Sequence, residues 1–342
     1  MNNYSFLQKL FHKIILNNDH FLNISYDLEK FFSKKDLKNS VSKKLFITGY
    51  ARSGTTILLN NLYQTGQFKS LTYNDMPFIL SPKINKFFKL FRNSNKSINR
   101  AHGDEIKIGN NSPEAFEEVF WKNRFRNEYV KDTYLEKNDI SDYLLEEFSY
   151  FINSINLENK IYLSKNNNNI LRIEKITDLA ESLILILFRK PEFQSVSLLN
   201  QHNNFCNLQK KDKFILDYMS SIGHYEFGNN HKVFFNEKIF NDDLSDGNYW
   251  LYQWIKVYEY LLEFKKKNMD RKNLFFLSYE ECAENIKVVE NKVNNFFGTE
   301  INMEKIKNKN EENSISQVSF DKNLINHANK IYLEMDKYSF IK

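Results

Sequence analysis

Leu45-Phe46-Ile47-Thr48-Gly49-Tyr50-Ala51-Arg52-Ser53-Gly54-Thr55-Thr56 is the stretch from which the rest of the chain is read. It opens with a short apolar, β-favouring run, Leu45 to Ile47, and passes through two glycines and small hydroxyl residues. It continues into Ile57-Leu58-Leu59-Asn60-Asn61-Leu62-Tyr63, whose apolar residues share one side of a helical turn. That order predicts strand, tight loop, helix. Such a loop aims several backbone N–H groups at one point, where the helix start also favours negative charge. Arg52 and the hydroxyls of Ser53, Thr55 and Thr56 add donors, so the stretch suits an oxyanion such as phosphate or sulfate.

The spacing Gly49-x-x-x-x-Gly54 followed by Thr55-Thr56 approaches the nucleoside-triphosphate loop, but Thr55 stands where that motif needs Lys. Triphosphate chemistry also needs an acidic residue to help hold Mg²⁺. The best later strand, Leu183 to Phe188, ends in Arg189 instead. The residues therefore favour a metal-free anion site. A Mg-dependent P-loop nucleotide kinase or NTPase is the alternative, and a non-catalytic nucleotide-binding domain is a third reading.

The chain resembles the sulfotransferases that use 3′-phosphoadenosine 5′-phosphosulfate (PAPS). Their first signature, a strand followed by an Arg- or Lys-Ser-Gly-Thr-Thr loop around the 5′-phosphosulfate, is matched by Arg52-Ser53-Gly54-Thr55-Thr56. Their second is a strand ending in Arg, a nearby Pro, and a Ser eight residues after the Arg. Here it is Arg189-Lys190-Pro191-Glu192-Phe193-Gln194-Ser195-Val196-Ser197, and the resemblance implies that Arg189 and Ser197 hold the 3′-phosphate. A softer third match is Leu274-Phe275-Phe276-Leu277-Ser278-Tyr279-Glu280-Glu281, which places Tyr279 near the nucleotide. The likeness runs from about Lys44 to about Phe297. It implies sulfuryl transfer to a hydroxyl or amine acceptor without a metal, and the family's breadth suggests a carbohydrate or glycolipid.

Composition sets the outer bounds. The 342 residues suffice for one large α/β domain with insertions, and 31 Phe with 19 Tyr supply ample core. Cys206 and Cys282 make no disulfide scaffold, so a reducing, cytoplasmic setting is expected. A net charge of +5 suits an anionic nucleotide but is too small and dispersed to indicate nucleic acid. No apolar run approaches the ~20 residues of a membrane span. Met1 to Leu16 is broken by Gln8, Lys9, His12 and Lys13, and reads as an amphipathic helix packed on the domain, with membrane-surface docking as the sharper option.

The expected organisation is an N-terminal helical extension over 1–43 and a single α/β domain over 44–342. The fold expected is three layers, α/β/α, with a central parallel sheet of P-loop nucleotide-binding type and helical insertions. Strands are predicted at 45–47, 68–73, 161–164, 183–188 and 274–279. Helices are predicted at 56–65, from Ser112-Pro113 onward, at 139–155, 170–182, over most of 198–270, at about 283–296, and in the tail. Residues 91–113 read as a long loop of the acceptor region.

For chemistry, Lys165 follows a short strand where related enzymes place a Lys that meets the leaving phosphate or sulfate. Asn166 to Asn169 line the same cleft or form a plain loop. Asp75, just after the second strand, is the first candidate base, and His102 in a His-Gly-Asp turn is the second. Glu114, Glu117 and Glu118 rank behind these two as bases, because an acidic first turn of a helix usually serves as electrostatic support. Trp250 and Trp254, four apart, read as core, and Gly223-His224-Tyr225-Glu226-Phe227-Gly228 as a turn or a wall of the acceptor pocket.

Overall fold

The computed structural model describes residues 12–33, 43–89, 98–99, 107–155, 160–236, 243–306 and 318–342. Five parallel strands form the central sheet: β1 (Lys44–Thr48), β2 (Phe68–Lys69), β3 (Ile161–Lys165), β4 (Ser182–Phe188) and β5 (Leu274–Ser278). Their spatial order is β2-β3-β1-β4-β5. The chain leaves β1 toward one edge and later crosses to the other side of it. The carboxyl ends of β1, β3 and β4 therefore flank the crevice in which open α/β sheets bind ligands.

The sequence of β4, Ser-Leu-Ile-Leu-Ile-Leu-Phe, is buried at every position, as expected for a parallel strand covered on both faces. Leu183, Leu185 and Leu187 join Leu45, Ile47 and Leu163 under helix α2 (Thr55–Gln64). Ile184, Ile186 and Phe188 join Phe46 and Tyr162 on the opposite face. There they meet α4 (Asp142–Ile155) and α7 (Gly247–Lys267), and Trp250 and Trp254 of α7 are fully buried, as read from their spacing. Helices α8 (Tyr279–Glu284) and α9 (Ile286–Phe297) complete the α2 layer, while α5 (Pro191–Lys211) and α10 (Lys322–Asp336) pack on α7. Sheet alternation thus sorts one apolar run into two cores.

Near the amino end, α1 (Asp19–Ser33) buries Leu22 and Tyr26 and exposes Phe21, Ile24, Leu28 and Phe31. The Tyr26 hydroxyl donates to the Glu147 carbonyl at 3.0 Å, which ties α1 to α4. The first eleven residues of the expected amphipathic helix lie outside the described residues. No described helix is long and apolar enough to cross a membrane.

Several expected elements differ. The strand expected over 68–73 pairs only at Phe68–Lys69, because Thr72 leaves the sheet to cap a tight turn at Tyr73–Asp75. The helix expected from Ser112-Pro113 starts only at Glu118, as α3 (Glu118–Arg124). Pro113 instead bridges Thr72, and the Glu114 N–H donates to the Leu71 carbonyl, so this segment is spent as an extended tie. The helix expected over 170–182 is a 3-10 stretch at Asn167–Arg172 and one turn at Ile173–Ile176, since the asparagine side chains are committed elsewhere. Between α6 (Lys213–Ser221) and α7 the described residues are mostly irregular, and Val233–Phe234 there pairs with Tyr134–Leu135.

Candidate active site

Gly49 opens the loop after β1 at φ +137°, and a Cβ there would lie 2.1 Å from the Leu187 carbonyl oxygen of β4. Only glycine lets the loop leave the sheet at this angle. Arg52 at φ 69° and Gly54 at φ 92° then turn it into α2. Gly54 is the N-cap and supplies no side-chain acceptor to the first turn, so the start of α2 keeps its polarity for a ligand. Ser53 and Thr55 are buried, and Arg52 and Thr56 half-buried.

The two sequence motifs meet. Arg52 Nε donates to Ser197 Oγ at 3.0 Å, joining the first loop to α5. Arg189, one residue beyond β4, is 9% exposed, and its guanidinium stacks 5.0 Å from the Tyr279 ring. Tyr279 also covers Gly54, where an added Cβ would come within 2.6 Å of its ring. Arg52, Gly54, Arg189, Ser197 and Tyr279 therefore line one region at the carboxyl end of the sheet, although they span more than half the sequence.

A side chain that sequence reading did not single out stitches these parts together. Gln194 Nε2 donates to the Tyr50 and Ala51 carbonyls at 3.0 and 2.9 Å. Its Oε1 accepts from the Arg189 N–H at 3.2 Å and the Trp254 indole at 2.9 Å. Tyr258 of α7 adds a second pin: its hydroxyl donates to the Leu187 carbonyl at 2.8 Å and accepts from the Tyr50 N–H at 3.2 Å. With two carbonyls drawn inward, the loop is set before any ligand arrives. The position of Gln194 inside the second motif is the only hint in the sequence, and an amide there has no distinctive periodicity.

Lys165 ends β3 in register with Ile47, two residues before Gly49, and shares the α2 face with Leu163. Its Nζ lies 3.4 Å from Glu114 Oε1, and both side chains are about 5% exposed. The pair sets a buried cation beside a buried carboxylate close to the loop after β1, a proximity that nothing in the local sequence around Glu114 indicates.

Asp75 closes the tight turn at Tyr73–Asp75. Its Oδ2 accepts from the Thr72 N–H at 2.8 Å and the Thr72 hydroxyl at 2.9 Å, completing a capping box around the turn. His102 lies outside the described residues. Glu118 is bound by Arg172 through Nη1 at 2.7 Å and Nη2 at 2.9 Å, and by the Tyr129 hydroxyl. Burial raises the Glu118 pKa, but Arg172 outweighs it and holds the carboxyl below its ordinary range. Burial dominates at Glu117 and pushes its carboxyl up, against hydrogen bonds from Tyr162 and Asn169. Asn166 and Asn169 serve Glu118 and Glu117, while Asn167 and Asn168 reach Glu226 and the Gly223 carbonyl.

A sulfotransferase domain model matches residues 42–341, which include all five strands of the central sheet and both motifs. The chain belongs to the sulfotransferase domain family. No curated relative matches the sequence. Among solved structures, the sulfotransferase fold is shared with STF9 from Mycobacterium avium at 12% identity and a TM-score of 0.51, over 94% of this chain and 82% of that one. STF1 from Mycobacterium tuberculosis H37Rv aligns at 9% identity and a TM-score of 0.51, over 95% of this chain and 84% of that one. At such identities the neighbours speak for the fold, and the family match makes this sulfotransferase a group-transfer enzyme.

Proposed function

We propose that this sulfotransferase uses PAPS as donor and transfers its sulfuryl group to a hydroxyl or amine of an acceptor. The acceptor oxygen or nitrogen forms a bond to sulfur as the bond from sulfur to the bridging phosphate oxygen breaks. The nucleotide bisphosphate leaves with the electron pair, and the acceptor's proton passes to a base. Arg52, the N–H groups around Gly54, and the hydroxyls of Ser53, Thr55 and Thr56 would receive the 5′-phosphosulfate. Arg189 and Ser197 would hold the 3′-phosphate, with Tyr279 against the nucleotide. Lys165 would stabilise charge on the leaving oxygen.

The observation that carries this reading is the convergence of two distant motifs through the Arg52–Ser197 bond and the shared contact of Tyr279. For the base, the pairing of Glu114 with Lys165 favours Glu114 over Asp75, whose carboxylate already closes a turn. Calorimetric titration of the full chain with 3′-phosphoadenosine 5′-phosphate (PAP), and with ATP with and without Mg²⁺, tests the donor. Tight PAP binding that a chelator leaves unchanged is the expected result. Preference for Mg-ATP would return the kinase or NTPase reading. Glu114→Gln is expected to slow single-turnover transfer by ~10²–10⁴ while Asp75→Asn stays near wild type; the reverse order restores Asp75 as base.

A further inference from the structure

Lys165 and Asn166 are neighbours at the carboxyl end of β3, and the fold treats them differently. Lys165 carries a cation 3.4 Å from Glu114 Oε1. Asn166 is buried and bonded in three directions. Its N–H donates to the Ile47 carbonyl at 3.0 Å, which extends the pairing of β3 with β1 one step past Lys165. Its Oδ1 accepts from the Asn168 N–H at 3.0 Å and caps the 3-10 stretch that follows. Its Nδ2 donates to Glu118 Oε2 at 2.7 Å.

Glu118 is a firm anchor, because both terminal nitrogens of Arg172 and the Tyr129 hydroxyl already hold it. It lies four residues after Glu114, the partner of Lys165. Two adjacent residues of β3 are therefore gripped by two carboxylates of one short segment. Asparagine suits the second grip, since it offers an acceptor to a backbone N–H and a donor to a carboxylate at once, and an ionised Asp has no donor. A hydrogen bond to an ionised carboxylate is also stronger than a neutral one. The first grip needs this support. A lysine ammonium rides on a flexible four-carbon stem, so it reaches one defined point at low cost only if its backbone is fixed.

We propose that Asn166 is a positioning residue for sulfuryl transfer: tied to Ile47 of β1 on one side and to Glu118 on the other, it fixes the stem from which Lys165 meets the leaving oxygen. This deepens the sulfotransfer reading and rests on it, and on the role given there to Lys165. Asn166→Ser isolates the tie to Glu118. A serine hydroxyl still caps the 3-10 stretch but does not reach Glu118, which keeps Arg172 and Tyr129. The variant is therefore expected to retain a cooperative thermal transition.

The leaving oxygen stays on the 5′-phosphate of PAP, so PAP is the probe, titrated into the full chain by calorimetry. Asn166→Ser is expected to weaken PAP at least fivefold, and Lys165→Gln, which keeps a neutral donor for Glu114, to do the same. Added to Lys165→Gln, Asn166→Ser is expected to change the affinity less than twofold, because a residue that acts through Lys165 then has nothing to act on. Tyr162→Phe removes a hydroxyl bond to Glu117 three residues earlier on the same strand and controls for general loosening. It is expected to leave PAP affinity within twofold of wild type. The positioning role is overturned by an Asn166→Ser effect that survives in full without Lys165, by no effect in its presence, or by an equal effect of Tyr162→Phe. Wild-type affinity in Lys165→Gln would instead remove the assignment of Lys165, and the role of Asn166 with it. Failure of wild type to bind PAP would remove the donor reading itself.

Discussion

Gly49 shows how little tolerance the loop has. With φ +137° and the Leu187 carbonyl 2.1 Å from a built Cβ, Gly49→Ala must move either the loop or β4. A loss of about 2–3 kcal/mol in denaturant unfolding is expected, with weaker PAP binding. The two arginines should separate by ligand. Arg189→Ala is expected to weaken PAP tenfold or more, since a charged hydrogen bond contributes about 1.5–3 kcal/mol, while adenosine 5′-phosphate keeps most of its affinity. Arg52→Ala should weaken both nucleotides and slow transfer. Calorimetry with the two compounds checks each assignment, and equal weakening by Arg189→Ala would remove the 3′-phosphate clamp.

At the level of elements, α5 carries both Ser197, which accepts from Arg52, and the amide that sets the first loop. Gln194→Leu would strand two loop carbonyls, the Arg189 N–H and the Trp254 indole in the interior. A loss of at least about 2 kcal/mol and a rise in the KM for PAPS are expected together. His231, in the stretch before α7, contributes one acid-sensitive step. The His231 Nδ1 faces the Tyr225 carbonyl at 3.1 Å and its Nε2 the Tyr249 hydroxyl at 2.9 Å. Its folded pKa of about 3 lies below the unfolded value of about 6.5, so the unfolded chain binds the extra proton between these values. The His231 contribution is full above about pH 6.5 and is lost as pH falls toward about 3, at up to ~1.4 kcal/mol per pH unit. Urea unfolding of His231→Phe across that range should show a slope shallower by about one proton.

Viewed whole, the molecule was legible where local pattern and tertiary structure agree. The run Leu183 to Phe188 and the glycine-hydroxyl loop each dictate their geometry, and the parallel three-layer fold follows from the alternation around them. What the sequence hid was long-range polar pairing. Nothing near Glu114 announces Lys165, 51 residues on, and Glu118 reads as helix support until Arg172 is seen against it. The helix expected over 170–182 shrinks to one turn, and the asparagine run before it, read as cleft lining or plain loop, has its side chains spent on three buried glutamates and a carbonyl. Arg172→Met would leave Glu118 charged and unmatched in the core, a change expected to cost about 3–5 kcal/mol. Ligand linkage supplies a global check: PAP at a hundred times its Kd should add about 2.7 kcal/mol of stability, read as an upward shift in melting, with adenosine far less effective.

The contact between Arg52 and Ser197 has a last implication. A long, flexible guanidinium that already rests on a neutral hydroxyl surrenders little freedom when an anion replaces that resting place. The loop is therefore cocked rather than slack. Nucleotide capture should then run close to the speed of encounter, and differences in affinity among variants of this contact should show mainly in how fast the spent nucleotide departs.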